Sequence, residues 1–211
     1  VLVNDNGTEK CIPQGTLADT TSWTKITYGA DSSSGGSNGI TSGAAYKIIA
    51  KCSGKSLDND GWSKSDGANV IQWTWGGDQS NQKWIITDVG GGYYSIINEY
   101  SGLGLDVAGW STDAGGNIQQ WTYQAPDNQK WAVEKLSDGY YKITNKYSGK
   151  VMDVSSSSTE NGANVQQWNW NESSAQRWAL TVVNATSGSG TDETAPVTDG
   201  SYTLAWSDEF N

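Results

Sequence analysis

The chain has 211 residues, a formal net charge of −10, no histidine, two cysteines and twelve tryptophans against a single phenylalanine. The negative balance argues against nucleic acid and anionic membranes as partners, because both must be met by a basic surface, and no apolar run approaches the roughly 18 residues of a membrane-spanning helix. Without histidine the commonest general base, the Ser-His nucleophile pair and most zinc sites are gone, so no metal or cofactor is expected and any catalysis would rest on carboxylates.

In chain order, the opening residues lack the basic and apolar regions of a secretory leader and read as an interior stretch of a longer chain. Residues 1–44 hold a strand-like run from Ser22 to Tyr28, then a Gly/Ser-rich stretch from Asp31 to Gly43 that reads as a flexible linker or surface loop. This segment is either the tail of an upstream domain or an arm of the next one. From residue 45 the chain repeats itself three times, over 45–92, 93–139 and 140–184. Gly54, Gly102 and Gly149 correspond, as do Asp58, Asp106 and Asp153, Trp73, Trp121 and Trp168, and Trp84, Trp131 and Trp178. Self-similarity at a fixed step defines the architecture before any local reading does.

Each copy reads as strand, turn, strand, turn. In the middle one, Tyr94 to Asn98, Gly104 to Val107, Asn117 to Tyr123 and Gln129 to Lys135 are β-rich and separated by Gly, Asn, Asp and Ser. No stretch has the length and spacing of an amphipathic helix. Three four-stranded units predict an all-β body, 45–184, with pseudo-threefold symmetry: a β-trefoil, in which a six-stranded barrel is capped by three hairpins. A propeller is the runner-up, but it needs at least four blades. The segment 185–200, poor in large apolar residues, reads as a linker, and 201–211 as the truncated start of a further domain.

Cys52 stands where the sister repeats carry Tyr100 and Tyr147. A Cys11–Cys52 disulfide tying the leading segment to the first repeat is the expectation for an exported protein, with two unpaired thiols as the alternative.

Each repeat contains Gln and Trp two positions apart: Gln82 and Trp84, Gln129 and Trp131, Gln176 and Trp178. A Trp that opens an apolar strand in every copy is assigned to the core, with the Gln amide bonding loop backbone groups. A second aromatic pair lies earlier in each repeat, at Trp73 and Trp75, Trp121 and Tyr123, and Trp168 and Trp170. Side chains at i and i+2 share a face along a strand, but parity can break at a strand end, so one member need not be core. A flat indole beside a carboxylate and an amide suits a pyranose ring. The indole stacks on the apolar C–H face, Asp accepts from hydroxyls, and Asn or Gln completes the edge.

These residues resemble the ricin B-type lectins, including the family 13 and family 92 carbohydrate-binding modules. The resemblance spans 45–184 and rests on the triple Gln-x-Trp, the runs around Asp58, Asp106 and Asp153, and the Gln119 to Trp121 and Gln166 to Trp168 segments. It implies up to three sugar sites, formed by Asp58, Trp73 and Asn81; by Asp106, Gln119, Trp121 and Asn128; and by Asp153, Gln166 and Trp168. Ile71 replaces the Gln of the first site and Ala175 the Asn of the third, so the middle site is expected to be the most complete. Trp62 and Trp110, matched by Ser157, add an aromatic wall to two sites or form a lid over the hairpin cap. For each Asp the plainer alternative is a turn-forming carboxylate bonded to its own loop. The stretch Leu204 to Asn211 resembles the first strand of family 16 glycoside hydrolases, whose catalytic carboxylates lie further along; Asp208 and Glu209 are not those carboxylates.

The function expected is therefore a non-catalytic, monomeric carbohydrate-binding module. It would hold a secreted glycoside hydrolase on a polysaccharide, with β-glucan favoured and an agar-type galactan second. A protein-binding trefoil is the competing reading, but such proteins use one idiosyncratic loop, whereas here the distinguishing residues recur threefold. A glycosidase-like carboxylate pair is a third, and no acidic pair is forced together by its sequence context.

Overall fold

Alternation of buried and exposed residues builds most of the strands. In Ala44–Ala50, Tyr46, Ile48 and Ala50 point inward, and in Tyr141–Asn145, Tyr141, Ile143 and Asn145 do so. The structure is a computed structural model that describes residues 2–5, 8–11 and 38–183. The run Ser22 to Tyr28, the linker 185–200, and 201–211 with its resemblance from Leu204 to Asn211 lie outside the described residues. The leading segment is a unit by itself. Its strands β1 (Leu2–Asp5) and β2 (Thr8–Cys11) pair antiparallel.

The repeats contribute twelve strands among the described residues. The first repeat forms β3 (Ala44–Ala50), β4 (Ser56–Asn59), β5 (Val70–Trp73) and β6 (Trp84–Gly90). The second forms β7 (Tyr93–Asn98), β8 (Gly104–Val107), β9 (Ile118–Trp121) and β10 (Trp131–Lys135). The third forms β11 (Tyr141–Asn145), β12 (Val151–Val154), β13 (Val165–Trp168) and β14 (Trp178–Val182). The outer strands of each repeat close a ring in the order β3, β6, β7, β10, β11, β14 and back to β3. The inner strands form the hairpins β4–β5, β8–β9 and β12–β13. Bridges between Asn69 and Gln119, Asn117 and Gln166, and Ile71 and Asn164 join the hairpins. There the side chains of Asn69, Asn117 and Asn164 close a cycle in which each amide donates to the next at 2.9 to 3.0 Å. This is the expected β-trefoil.

Trp84, Trp131 and Trp178 open the last strand of each repeat and are fully buried. Their indole N–H groups donate to the carbonyls of Leu57, Leu105 and Met152 at 3.1, 3.0 and 3.1 Å, so the polar edge of each ring is satisfied inside the core. The paired glutamines bond loop backbone as expected. Gln129, for instance, donates to the Thr122 carbonyl at 3.1 Å and accepts from the Gln124 N–H at 3.0 Å. Gln82 and Gln176 do the same for the loops after Trp73 and Trp168.

One expectation changes. The end of the Gly/Ser stretch is not free linker: Ile40 is buried in the core, and Asn38 donates to the Val133 carbonyl at 2.7 Å. Cys52 is a free thiol, with Sγ 3.9 Å from the Ser158 carbonyl and its pKa raised by burial; the side chain of Cys11, its expected disulfide partner, lies outside the described residues. The fold offers another reason for the departure of Cys52 from the repeat. Tyr100 and Tyr147 sit edge-to-face against Trp62 and Trp110 of the preceding repeat, ring centres 5.0 Å apart. In the third junction the residue at the Trp position is Ser157, and the cysteine stands where its aromatic partner would.

Candidate functional site

The register of each hairpin assembles the site. Asp106 on β8 lies opposite Gln119 on β9, and Trp121, two residues on, lies opposite Gly104. Along β9, Ile118 and Gln120 are buried inward, so Gln119 and Trp121 share the other face. Asp58 with Ile71 and Trp73, and Asp153 with Gln166 and Trp168, repeat the arrangement. Trp73, Trp121 and Trp168 are 46, 43 and 39% exposed. The second aromatics, Trp75, Tyr123 and Trp170, are half-buried. The first member of each pair is thus the solvent-facing ring, the candidate stacking platform, a choice that strand parity alone leaves open.

In the middle repeat Asp106 accepts from Gln119 Nε2 at 2.9 Å and from Asn128 Nδ2 at 2.7 Å. Asn128 also donates to the Val107 carbonyl at 3.1 Å and is itself buried, so Gln119 and Asn128 aim the carboxylate. A cleft of about 320 Å³ opens here, walled by Asp106, Gln119, Trp121, Asn128 and Trp110. The third repeat has a cleft of about 320 Å³ lined by Asp153, Gln166 and Trp168. Gln166 Nε2 donates to Asp153 at 3.0 Å, but buried Ala175 offers no second donor and Ser157 stands in place of the aromatic wall. In the first repeat Asn81 and Gln82 donate to Asp58 at 3.1 and 2.7 Å, both to Oδ2, while Ile71 supplies nothing.

Sequence reasoning missed what stands behind the platforms. Gly67 of the first repeat lies against Trp121 of the second, Gly115 against Trp168, and Gly162 against Trp73, with a Cβ at any of them meeting the ring at 3.4 to 3.7 Å. All three glycines have φ between +81 and +88°, a region in which other residues are strained. Beside Gly67, Asp66 accepts from the Thr122 N–H at 2.6 Å, and Asn161 accepts from the Thr74 N–H at 2.9 Å. The matching residue behind the third platform is Ala114, which has no acceptor side chain. The recurring Gly two positions before Asn69, Asn117 and Asn164 was the available signal.

Burial raises the pKa of all three carboxyls. Asp58 is pushed up to about 6, by burial first and by neighbouring Asp60, against the bonds from Gln82 and Asn81. The folded state therefore binds the proton more tightly than the unfolded chain does. Stability contributed by protonated Asp58 is present at low pH and is lost as pH rises from the ordinary value of 3.8 through about 6. Asp58→Asn keeps an acceptor for both donors and cannot ionise. Its stability relative to the parent, measured by denaturant unfolding, is expected to improve between about pH 4 and pH 7. A difference that stays flat over that window contradicts the assignment.

The model of the ricin-type beta-trefoil lectin domain-like family matches residues 19–121 and 127–205. The chain belongs to that family. Among solved structures, this lectin domain is 45% identical to the designed threefold-symmetric protein ThreeFoil (TM-score 0.65), covering 66% of this chain and 99% of that one. It is 40% identical to an exo-beta-1,3-galactanase from Clostridium thermocellum (TM-score 0.65), covering 68% of this chain and 31% of the galactanase. The Macrolepiota procera ricin B-like lectin, solved in complex with lactose, shares the fold at 22% identity and TM-score 0.60, over 68% of this chain and 99% of that one. No curated protein sequence matches.

Proposed function

We propose that this lectin domain binds carbohydrate without acting on it, through up to three unequal sites, and holds a secreted glycoside hydrolase on its polysaccharide. One observation carries the reading: each hairpin sets an exposed indole on the same face as an oriented, partly desolvated carboxylate, the pair a pyranose needs for stacking and for hydroxyl acceptance. Asp58, Trp73 and Asn81, then Asp106, Gln119, Trp121 and Asn128, then Asp153, Gln166 and Trp168 are the residues proposed to form the sites. Asn81, Asn128 and the two glutamines orient the carboxylates.

A galactose-based polymer is favoured. An axial hydroxyl at C4 leaves one continuous C–H face for the indole and brings two adjacent hydroxyls to the carboxylate, and the galactanase, 40% identical over the trefoil, supports the choice. A β-glucan is second, resting on the family 16 resemblance of Leu204 to Asn211. Such shallow sites individually bind at roughly millimolar strength, and several on one body gain on a polymer through effective concentration.

Native gels cast with β-1,3-galactan or with laminarin test this. Retardation by galactan, with no reducing sugar released from it, is the expected result; retardation by laminarin alone transfers the preference to β-glucan. Migration unchanged across a polysaccharide panel overturns carbohydrate binding and leaves the protein-binding trefoil.

A further inference from the structure

The aromatic pairs that cross between repeats have no part in the stacking platforms or in the core. Trp110 on the turn after β8 meets Tyr147 of the third repeat, and Trp62 meets Tyr100 of the second, ring centres 5.0 Å apart and planes nearly perpendicular. An edge-to-face contact covers little of either ring: Trp110 is 49% and Tyr147 46% exposed. Each Trp is held at φ +55°, where a bulky side chain is rare and costly. The turn does not demand it. In the third repeat Ser156 and Ser157 adopt the same backbone, with φ +56 and +50°, and no aromatic. Nor are the pairs core elements: Trp110, Tyr147 and Trp62 face solvent, while Tyr100 is half-buried with Lys64 Nζ 4.5 Å from its ring centre. The pair is present whole at two junctions and replaced whole at the third, by Ser157 and Cys52. Trp110 also walls the middle cleft together with Trp121, so the aromatic surface runs from the platform out of that cleft and onto the next repeat.

We propose that Trp110–Tyr147 and Trp62–Tyr100 are second sugar-stacking subsites, so that the middle and first sites take at least two consecutive units of a chain whereas the third takes one. The inference rests on the carbohydrate reading above and adds a selectivity for chain length that differs between sites. An added aromatic stack is worth about tenfold in affinity.

Calorimetry with galactose and β-1,3-linked galactotetraose, and in parallel with glucose and laminaritetraose, tests it on a Trp73→Ala/Trp168→Ala background that isolates the middle site. The tetraose is expected to bind about tenfold tighter than the monosaccharide, and Trp110→Ser or Tyr147→Cys to bring that ratio close to one. A second measurement covers poor folding of either variant. On a Trp73→Ala/Trp121→Ala background, Ser157→Trp with Cys52→Tyr is expected to raise the ratio at the third site from about one to about tenfold. A ratio near one in the isolated middle site, or a ratio unchanged by both losses and by the gain, overturns the subsite while leaving the lectin reading intact. Binding of neither sugar series overturns that reading, and the subsite with it.

Discussion

Trp131→Ala is expected to cost about 4 kcal/mol of folding stability, among the largest losses of any single substitution in the barrel. The indole is fully buried, and its removal leaves a cavity bounded by strands of a closed ring that cannot collapse onto it. It also strips the donor from the Leu105 carbonyl, leaving an interior acceptor unpaired. Trp131 pairs with Tyr94 on one side and Asn145 on the other, so the defect sits where three barrel strands meet. Since domains of this kind hold only about 5–15 kcal/mol in reserve, a large share of the fold's stability disappears. Urea unfolding followed by tryptophan fluorescence measures it. A loss below about 1 kcal/mol would mean that the ring is not the core element its burial indicates.

The triple change Trp73→Ala, Trp121→Ala and Trp168→Ala is expected to do the reverse, abolishing retardation in galactan gels while leaving the fold in place. Each platform ring is more than a third exposed, so truncation opens no interior cavity and each change should cost under about 1 kcal/mol of stability. In the proposed site the same ring would supply most of the apolar contact with a sugar. Losing it leaves a carboxylate competing with water for hydroxyls, a contribution of about 1 kcal/mol per bond. Trp121→Ala alone should weaken retardation, and the three together remove the gain from joined sites. A folded triple variant that migrates like the parent in galactan overturns the platform assignment.

These two substitutions act on tryptophans that the sequence separates only in part. Trp131 is legible as core because an apolar strand follows it in every copy and a Gln precedes it at fixed spacing. Trp121 and Tyr123 are not separable that way, since β9 ends at Trp121 and side-chain parity has no meaning past a strand's end. The direct partnership of Asp106 with Gln119 needs the hairpin register, which spacing in one strand does not supply. Cys52 shows the limit most plainly. Its departure from the repeat reads as a reason for a disulfide until the fold brings it to the junction where Ser157 has replaced the aromatic partner of its position.

The number of repeats, their strand order and, through the threefold constraint, the barrel with its cap were all legible in the residues alone. A β-strand pattern copied three times can bury its apolar faces by closing on itself, each repeat covering the next. Tertiary structure alone decided which aromatics face solvent, and that each platform is backed by the repeat before it. Gly67 and Asp66 reach Trp121 and Thr122 across more than fifty residues of chain. Such contacts depend on how neighbouring repeats dock, and a periodic sequence records what each repeat contains without recording what its neighbour presses against.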